Sequence, residues 1–192
     1  IDLGGRTVVP GFNDTHMHLL NFGASLGMVD LGGCRSIEDI VTTVKRTIDE
    51  KGIKVGKWVR GRGWNHDYFT AEKRFPTRYD LDRISTAHPI AVTRACGHIC
   101  VVNSKALEIC RINRNTEQVE GGKFDLDQSG EPLGIFRENA LSLIFDRMPS
   151  PAAEEVKSML RAAIAYANSR GLTSVQTDDF SHVPDYDFRM VI

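Results

Sequence analysis

The sequence has 192 residues, of which 41% are hydrophobic and 26% charged, a balance typical of a folded globular chain and not of a disordered one. Its formal net charge of -1 excludes the basic field that binds nucleic acid or an anionic membrane surface. No apolar run approaches the ~20 residues that a membrane span needs, and four cysteines fit a reducing compartment, so a cytoplasmic location is expected.

The first predicted element is a strand that enters through Asp2–Val9, turns at Pro10-Gly11 and ends at two histidines, His16 and His18. Because side chains of a strand alternate between its faces, both imidazoles would project to one side and could hold one metal ion. The alternative is that they flank a core methionine. Asp14 shares their parity and is either an acceptor that fixes an imidazole tautomer or the start of an Asx turn.

An amphipathic helix is predicted next, beginning after Ser36, a residue type favoured at helix N-caps, and ending at Gly52. Glu38 and Asp39 lie in its first turn, where negative charge complements the helix dipole. One face carries an apolar stripe made of Ile37, Ile40, Val41, Val44 and Ile48. We expect this stripe to cover a sheet.

A strand is predicted over Lys57–Trp64, and a polar, aromatic loop follows it as far as Tyr79. Long loops after barrel strands commonly carry function, so Trp64 is a candidate substrate-binding residue on a pocket wall. The alternative is a tryptophan in the core. His66 fits a surface position.

Pro89–Arg94 is predicted to be a buried strand because it is apolar and β-branched. Cys96, His98 and Cys100 alternate after it and would share one face of a continued strand, which makes them a rival metal site. A structural zinc site needs a fourth ligand at finger-like spacing, and only Cys110 follows. Two core cysteines around one histidine are therefore the preferred interpretation.

Gly121–Phe136 is predicted to form a β-hairpin with its turn at Gln128–Gly130. Glu138 follows this hairpin. From the residues alone, its carboxylate could serve a site or lie in the solvated first turn of a helix.

The longest helical pattern begins at Ser150-Pro151 and ends at Gly171, and a strand, Leu172–Gln176, follows it at once. A helix that returns directly to a short apolar strand favours a parallel sheet. Asp178 and Asp179 come at the carboxyl end of that strand, where the mouth of a barrel would lie. Both are candidates for the substrate pocket, with Asp178 assigned to substrate binding; a polar turn or helix cap is the alternative.

Ordered motifs run through these elements. They are Val9-Pro10-Gly11-Phe12-Asn13-Asp14-Thr15-His16-Met17-His18-Leu19, Gly63-Trp64-Asn65, Pro76-Thr77 with Asp80-Leu81-Asp82, Gly97-His98 with Asn103-Ser104-Lys105-Ala106-Leu107, and Gly130-Glu131-Pro132-Leu133-Gly134 with Glu138-Asn139-Ala140. Together they resemble the amidohydrolase superfamily and, within it, amidohydrolase family 3, the YtcJ-like group that includes N-substituted formamide deformylases. The resemblance extends over nearly the whole sequence.

The resemblance implies an α/β fold: a partial (β/α)8 TIM barrel, the first half of a metal-dependent hydrolase barrel, with an inserted α+β segment. Residues 1–54 would carry the first barrel strand, the His-x-His motif and the first helix. Residues 55–148 would carry barrel strands with a family-specific insertion, and 149–192 a helix and a truncated barrel strand. Because a complete barrel takes ~250 residues, we expect an internal fragment that is inactive by itself.

The resemblance also implies hydrolysis of a carbon–nitrogen bond other than a peptide bond, in an amide, formamide or cyclic amide. His16, His18 and Glu138 would hold a divalent metal, with zinc as the first expectation, and His98 would be a catalytic residue that contacts the substrate or a developing oxyanion. Metal coordination can lower the pKa of bound water from 15.7 to about 7, which supplies hydroxide at neutral pH. Further histidines and the proton donor would lie beyond Ile192.

Two other classes of function stay open at this point. One is a non-catalytic binding or regulatory protein that keeps the barrel scaffold, and the other is a metal-binding module built on Cys96, His98 and Cys100. For the enzyme, the expected partner is a small-molecule substrate, with no nucleic acid and no membrane. The exposed sheet edges of an incomplete barrel would also invite a homo-oligomer.

Overall fold

The computed structural model describes residues 2–177 and 179 and shows an α/β protein. In chain order the strands are β1 Phe12–Met17, β2 Val29–Asp30, β3 Val59–Trp64, β4 Ile90–Arg94, β5 Ile99–Val102, β6 Gly122–Leu126, β7 Pro132–Glu138 and β8 Leu172–Thr177. The helices are α1 Leu19–Leu26, α2 Ile37–Lys51, α3 Arg78–Asp82, α4 Ser104–Ile109, α5 Ser142–Phe145 and α6 Ala153–Ser169, with 3-10 turns at His66–Tyr68 and Asn139–Leu141.

The described chain forms two compact units. The first contains the described residues up to Gly27 and those from Ser150 onward, and the second is the continuous segment Met28–Pro149 between them. Each unit has a hydrophobic cluster of its own.

In the first unit β1 and β8 form a parallel pair, with Phe12 opposite Leu172 and Met17 opposite Thr177. The prediction of a parallel sheet from the helix–strand return is thus confirmed. Because the two strands run the same way, their carboxyl ends lie side by side. Leu20 of α1 and Val156 of α6 form a small buried cluster beside this pair.

Two predicted boundaries in this unit are wrong. None of the described residues 2–11 is in a strand; the pairing begins at Phe12, whose N–H donates to the Gly171 carbonyl at 2.9 Å. Helix α6 begins at Ala153 and not after Ser150, because the Glu155 carboxylate accepts from the Ala152 N–H at 2.7 Å and sets the first turn there.

The second unit is built on a six-stranded mixed sheet in the order β2-β3-β4-β5-β7-β6. The pairs β2/β3 and β3/β4 are parallel, and the other three pairs are antiparallel. The predicted hairpin is the pair β6/β7. Successive side chains of β4 point to opposite faces of the sheet and belong to two hydrophobic clusters. Ile90 and Val92 belong to one cluster and Ala91 to the other, so both faces of the sheet are covered.

Helix α2 covers one of those faces as its sequence predicts. The Ser36 hydroxyl accepts from the Asp39 N–H at 3.0 Å, and Gly52 ends the helix at φ +56°. The predicted stripe is buried along its whole length; it consists of Ile37, Ile40, Val41, Val44 and Ile48. Among the helices of the described residues, none is both long enough and apolar enough to cross a membrane.

Candidate metal centre and active site

The two histidines of the His-x-His motif lie where β1 gives way to α1. His16 is in the strand, and His18 is the residue before the helix. Their ring centroids are 5.6 Å apart and the ring planes make an angle of 78°. Zinc bonds imidazole nitrogen at ~2.0–2.1 Å, so rings this close can both reach one ion.

Asp14 supports this turn through its side chain. Its Oδ1 accepts a hydrogen bond from the His16 backbone N–H at 3.0 Å, a contact between residues two apart. Of the two interpretations open for Asp14, the structure therefore shows the Asx turn.

The buried carboxylate of Asp179, two residues after the end of β8, lies near His18. The Asp179 side chain is 1% exposed. Its Oδ2 accepts from the Leu20 N–H at 2.7 Å and from the Thr177 hydroxyl at 2.6 Å. Its Oδ1 has no hydrogen-bond partner among the described residues and lies 3.9 Å from Nδ1 of His18. Asp178 lies outside the described residues, so its assignment to substrate binding stays a prediction.

His98 and Glu138 form a pair in the second unit. Nδ1 of His98 and Oε2 of Glu138 are 2.8 Å apart, and both side chains are exposed. The backbone fixes the pairing, because the Glu138 N–H donates to the His98 carbonyl at 3.0 Å. Glu138 ends β7 and is thus not in the first turn of a helix; its backbone has φ +50° and ψ -128°. Strain of this kind in a non-glycine residue is found most often at functional sites.

The rival site of Cys96, His98 and Cys100 does not assemble as the alternation suggests. Strand β5 begins only at Ile99, so that Cys96 is exposed while Cys100 is fully buried. Burial raises the pKa of the Cys100 thiol to about 12, which keeps it protonated and a poor metal ligand at neutral pH. The interpretation as core residues is confirmed for Cys100 and wrong for Cys96, because the chain turns before β5 and leaves that side chain in solvent.

Cys96 differs from Cys100 in its electrostatics as well. Partial burial acts to raise the pKa of the Cys96 thiol, but hydrogen bonds from the His98 backbone and the Arg94 side chain outweigh it, and the net pKa is lowered. The pKa values of the two thiols are therefore shifted in opposite directions.

Trp64 lies in the core of the second unit. It is 0% exposed, its Nε1 donates to the Val92 carbonyl at 3.1 Å, and its ring meets Phe75 edge to face. This is the core alternative that the sequence left open. A side chain so enclosed does not face a ligand.

The predicted metal ligands divide between the units, with His16 and His18 in the first and Glu138 in the second. Among residues 2–177 and 179, no group of three or more His, Cys, Asp or Glu side chains is placed to hold a metal. The two imidazoles, with ring centroids 5.6 Å apart, nevertheless offer nitrogen donors that suit zinc and its neighbours. Thr177, which anchors that carboxylate, was not singled out from the sequence; its place at the end of a strand paired with β1 was the available signal.

The family model described as "Amidohydrolase family" matches residues 1–189. The chain belongs to this family. It is 34% identical over 190 residues to the amidohydrolase YtcJ of Bacillus subtilis (strain 168), an alignment that covers 99% of this chain and 35% of YtcJ. It is also 34% identical over 146 residues to the N-substituted formamide deformylase of Arthrobacter pascens, covering 75% of this chain and 26% of that enzyme.

The chain is also similar to a solved structure of a metal-dependent hydrolase. An uncharacterized metal-dependent hydrolase from Pyrococcus horikoshii OT3 superposes with a TM-score of 0.64 at 29% identity, covering 88% of this chain and 30% of that protein. This amidohydrolase chain thus spans roughly a quarter to a third of the length of the proteins it matches.

Proposed function

We propose that this chain is part of a metal-dependent hydrolase that acts on carbon–nitrogen bonds other than peptide bonds, in an amide, formamide or cyclic amide. The observation that carries the proposal is the pair of imidazoles, His16 and His18, at the carboxyl end of β1 with ring centroids 5.6 Å apart. The similarity to a formamide deformylase and to a metal-dependent hydrolase supports the reaction class.

His16 and His18 are the proposed holders of a divalent cation, with zinc as the first choice because neutral imidazoles suit it. Glu138 is the third proposed ligand: its Oε2 already accepts from His98, which leaves Oε1 available among the described residues. When bound, the cation supplies a Lewis acid and lowers the pKa of water from 15.7 to about 7.

His98 is the proposed catalytic side chain. The Glu138 carboxylate can only accept, so Nδ1 of His98 donates the hydrogen bond between them, and the His98 side chain is exposed. A ring oriented in this way by a carboxylate can contact a substrate carbonyl group or exchange a proton with it.

The fold proposed for the complete protein is a (β/α)8 barrel, with β1 and β8 as neighbouring barrel strands and the second unit inserted between them. Support comes from the parallel β1/β8 pair and from the position of both histidines at the carboxyl end of β1, where TIM-barrel enzymes place their active sites. A cytoplasmic location and a small-molecule substrate are part of the same proposal. We also propose that the 192-residue chain does not turn over substrate by itself, because no group of three or more His, Cys, Asp or Glu side chains among the described residues is placed to hold a metal.

Zinc retention after desalting tests the proposal. The wild-type chain, a His16→Ala/His18→Ala double variant and a His66→Ala control are each loaded with zinc, desalted and assayed for metal by mass spectrometry. The control removes an imidazole from the other unit. We expect stoichiometric zinc in the wild type and the control, and none in the double variant. Zinc retained equally by all three chains, or by none, would contradict the proposed site.

A further inference from the structure

Helix α1 has an unusual beginning. Its N-cap position is occupied by His18, whose side chain makes no capping bond, whereas Ser, Thr, Asp or Asn is the usual choice. The first two N–H groups are satisfied by residues at and just after the end of β8: Leu19 donates to the Thr177 hydroxyl at 3.3 Å and Leu20 to Oδ2 of Asp179 at 2.7 Å. The start of α1 is therefore capped by the side chains of Thr177 and Asp179 and not by the side chain of its own N-cap residue.

The same hydrogen bonds fix the orientation of the Asp179 carboxylate. The Thr177 hydroxyl donates its proton to Oδ2 at 2.6 Å while it accepts from the Leu19 N–H, so the direction of that hydrogen bond is fixed. Oδ2 therefore receives two hydrogen bonds, and Oδ1 receives none from the described residues although the side chain is 1% exposed. A buried carboxylate oxygen without a partner is costly, and the structure keeps it 3.9 Å from Nδ1 of His18.

We propose that Asp179 is a positioning residue for His18: its Oδ1 takes the Nδ1–H of the imidazole, so that Nε2 keeps the lone pair with which it binds the cation. A distance of 3.9 Å is longer than a hydrogen bond, and a modest rotation of the exposed His18 ring closes it. Histidines that ligate metals generally donate their other N–H to a carboxylate or a carbonyl, which fixes the tautomer and raises the basicity of the ligand. This inference rests on the proposed metal site at His16 and His18.

Asp179→Asn separates positioning from capping. The amide oxygen can still accept from the Leu20 N–H and the Thr177 hydroxyl, and it thereby turns the NH2 group toward His18. A donor at that place favours the opposite tautomer, in which Nε2 carries the proton and cannot bind a metal. Asp179→Ala removes both functions and serves as the comparison.

Two measurements on the 192-residue chain test whether Asp179 positions His18. Nitrogen-15 NMR of the metal-free protein at about pH 8, where an ordinary histidine is neutral, reports the tautomer of each ring. We expect the Nδ1–H form of His18 in the wild type and the Nε2–H form in Asp179→Asn, with His16 unchanged. Zinc affinity, from competition with a chelator, should fall about 10–100-fold in Asp179→Asn while its melting temperature stays close to that of the wild type. Asp179→Ala should lose both affinity and thermal stability.

Each contrary result has a distinct meaning. If His18 has the same tautomer in the wild type and Asp179→Asn, Asp179 does not position it, whatever the zinc affinity. If the tautomer changes but the affinity stays within twofold, the positioning has no role in metal binding, and the proposal is overturned. If the wild-type chain takes up no zinc, the proposed function fails, and the tautomer of His18 in the metal-free variants still decides whether Asp179 orients the ring.

Discussion

His98 and Glu138 are joined by a hydrogen bond of 2.8 Å, and Glu138 holds its backbone at φ +50°. An ion pair between exposed side chains contributes ~0–1 kcal/mol, whereas strained backbone of this kind costs ~1–3 kcal/mol. The pair therefore does not offset the strain. A glutamate kept at such a position is better explained by what its carboxylate does for His98 than by stability.

Glu138→Gly tests this explanation directly. Glycine adopts φ +50° without strain, and the relief of ~1–3 kcal/mol exceeds the ~1 kcal/mol that glycine loses in backbone entropy. We expect the free energy of unfolding to rise by about 1 kcal/mol. Urea denaturation followed by the fluorescence of Trp64, which is buried in the same unit, measures it.

Glu138→Ala is the matched control, because it removes the carboxylate and keeps the strained backbone. We expect it to be no more stable than the wild type. If the glycine variant proved less stable than the alanine variant, the backbone of residue 138 would not be strained, and the functional interpretation of the pair would lose its basis.

Local signals in the sequence were sufficient where an element ends on its own residues. Helix α2 is capped by Ser36 and ended by Gly52, both within its own segment, and its limits were predicted correctly. Helix α6 was placed too early, because the Ser150-Pro151 pair is a good start in isolation while the Glu155 carboxylate closes the first turn on Ala152.

The site residues were harder to predict, because their contacts are long-range. The bond from Leu20 to Asp179 joins residues 159 positions apart, and it exists only because β1 and β8 are neighbours. The pairing of His98 with Glu138 follows from the antiparallel register of β5 and β7, in which Ile99 lies opposite Arg137. The motifs named His98 and Glu138, but strand pairing brings them together.

Trp64→Phe distinguishes a core role from a pocket role. The change removes the hydrogen bond from Nε1 to the Val92 carbonyl and leaves a small void in a fully buried site. We expect the free energy of unfolding to fall by about 1–3 kcal/mol, measured by circular dichroism during urea denaturation. Trp58→Phe, at a half-buried position of the same unit, should cost clearly less. Equal effects of the two changes would contradict the assignment of Trp64 to the core.

Asp80 should make the second unit sensitive to acid. Burial acts to raise the pKa of this carboxyl, but hydrogen bonds from Arg74 and from the Thr77 backbone and hydroxyl outweigh it, and the pKa lies below its usual value of 3.8. A depressed pKa means that the stabilisation is present above the unfolded pKa and is lost as the pH falls through the lower folded pKa. Asp80→Asn should therefore cost about 2 kcal/mol at pH 7 and flatten the loss of stability below pH 3.8.

Urea denaturation at a series of pH values measures this effect. Asp49→Asn, at an exposed position on α2, is the control and should leave the curve unchanged. A variant of Asp80 that is as stable as the wild type at pH 7 would show that the Arg74 contact makes no net contribution.

The first unit needs a different probe, because both tryptophans of the chain lie in the second. Its critical contact is the crossing of α1 and α6 at Gly23, where a Cβ atom would lie 2.1 Å from the Met159 carbonyl oxygen. Backbone cannot move aside as a side chain can. Gly23→Ala should thus destabilise this packing by about 1–3 kcal/mol, even though alanine gains ~1 kcal/mol of helix propensity over glycine.

Hydrogen exchange followed by mass spectrometry on peptides from α1 and α6 measures this loss of stability. A decrease of 1.4 kcal/mol speeds exchange about tenfold, and peptides from α2 in the other unit provide an internal reference. Gly27→Ala is the control, since a Cβ atom there would lie 3.4 Å from the nearest oxygen, and its exchange should match the wild type or be slower. If Gly23→Ala exchanged no faster than Gly27→Ala, the two helices would not be packed as closely as the structure shows. The histidines at the start of α1 would then lack the rigid support that a metal site needs.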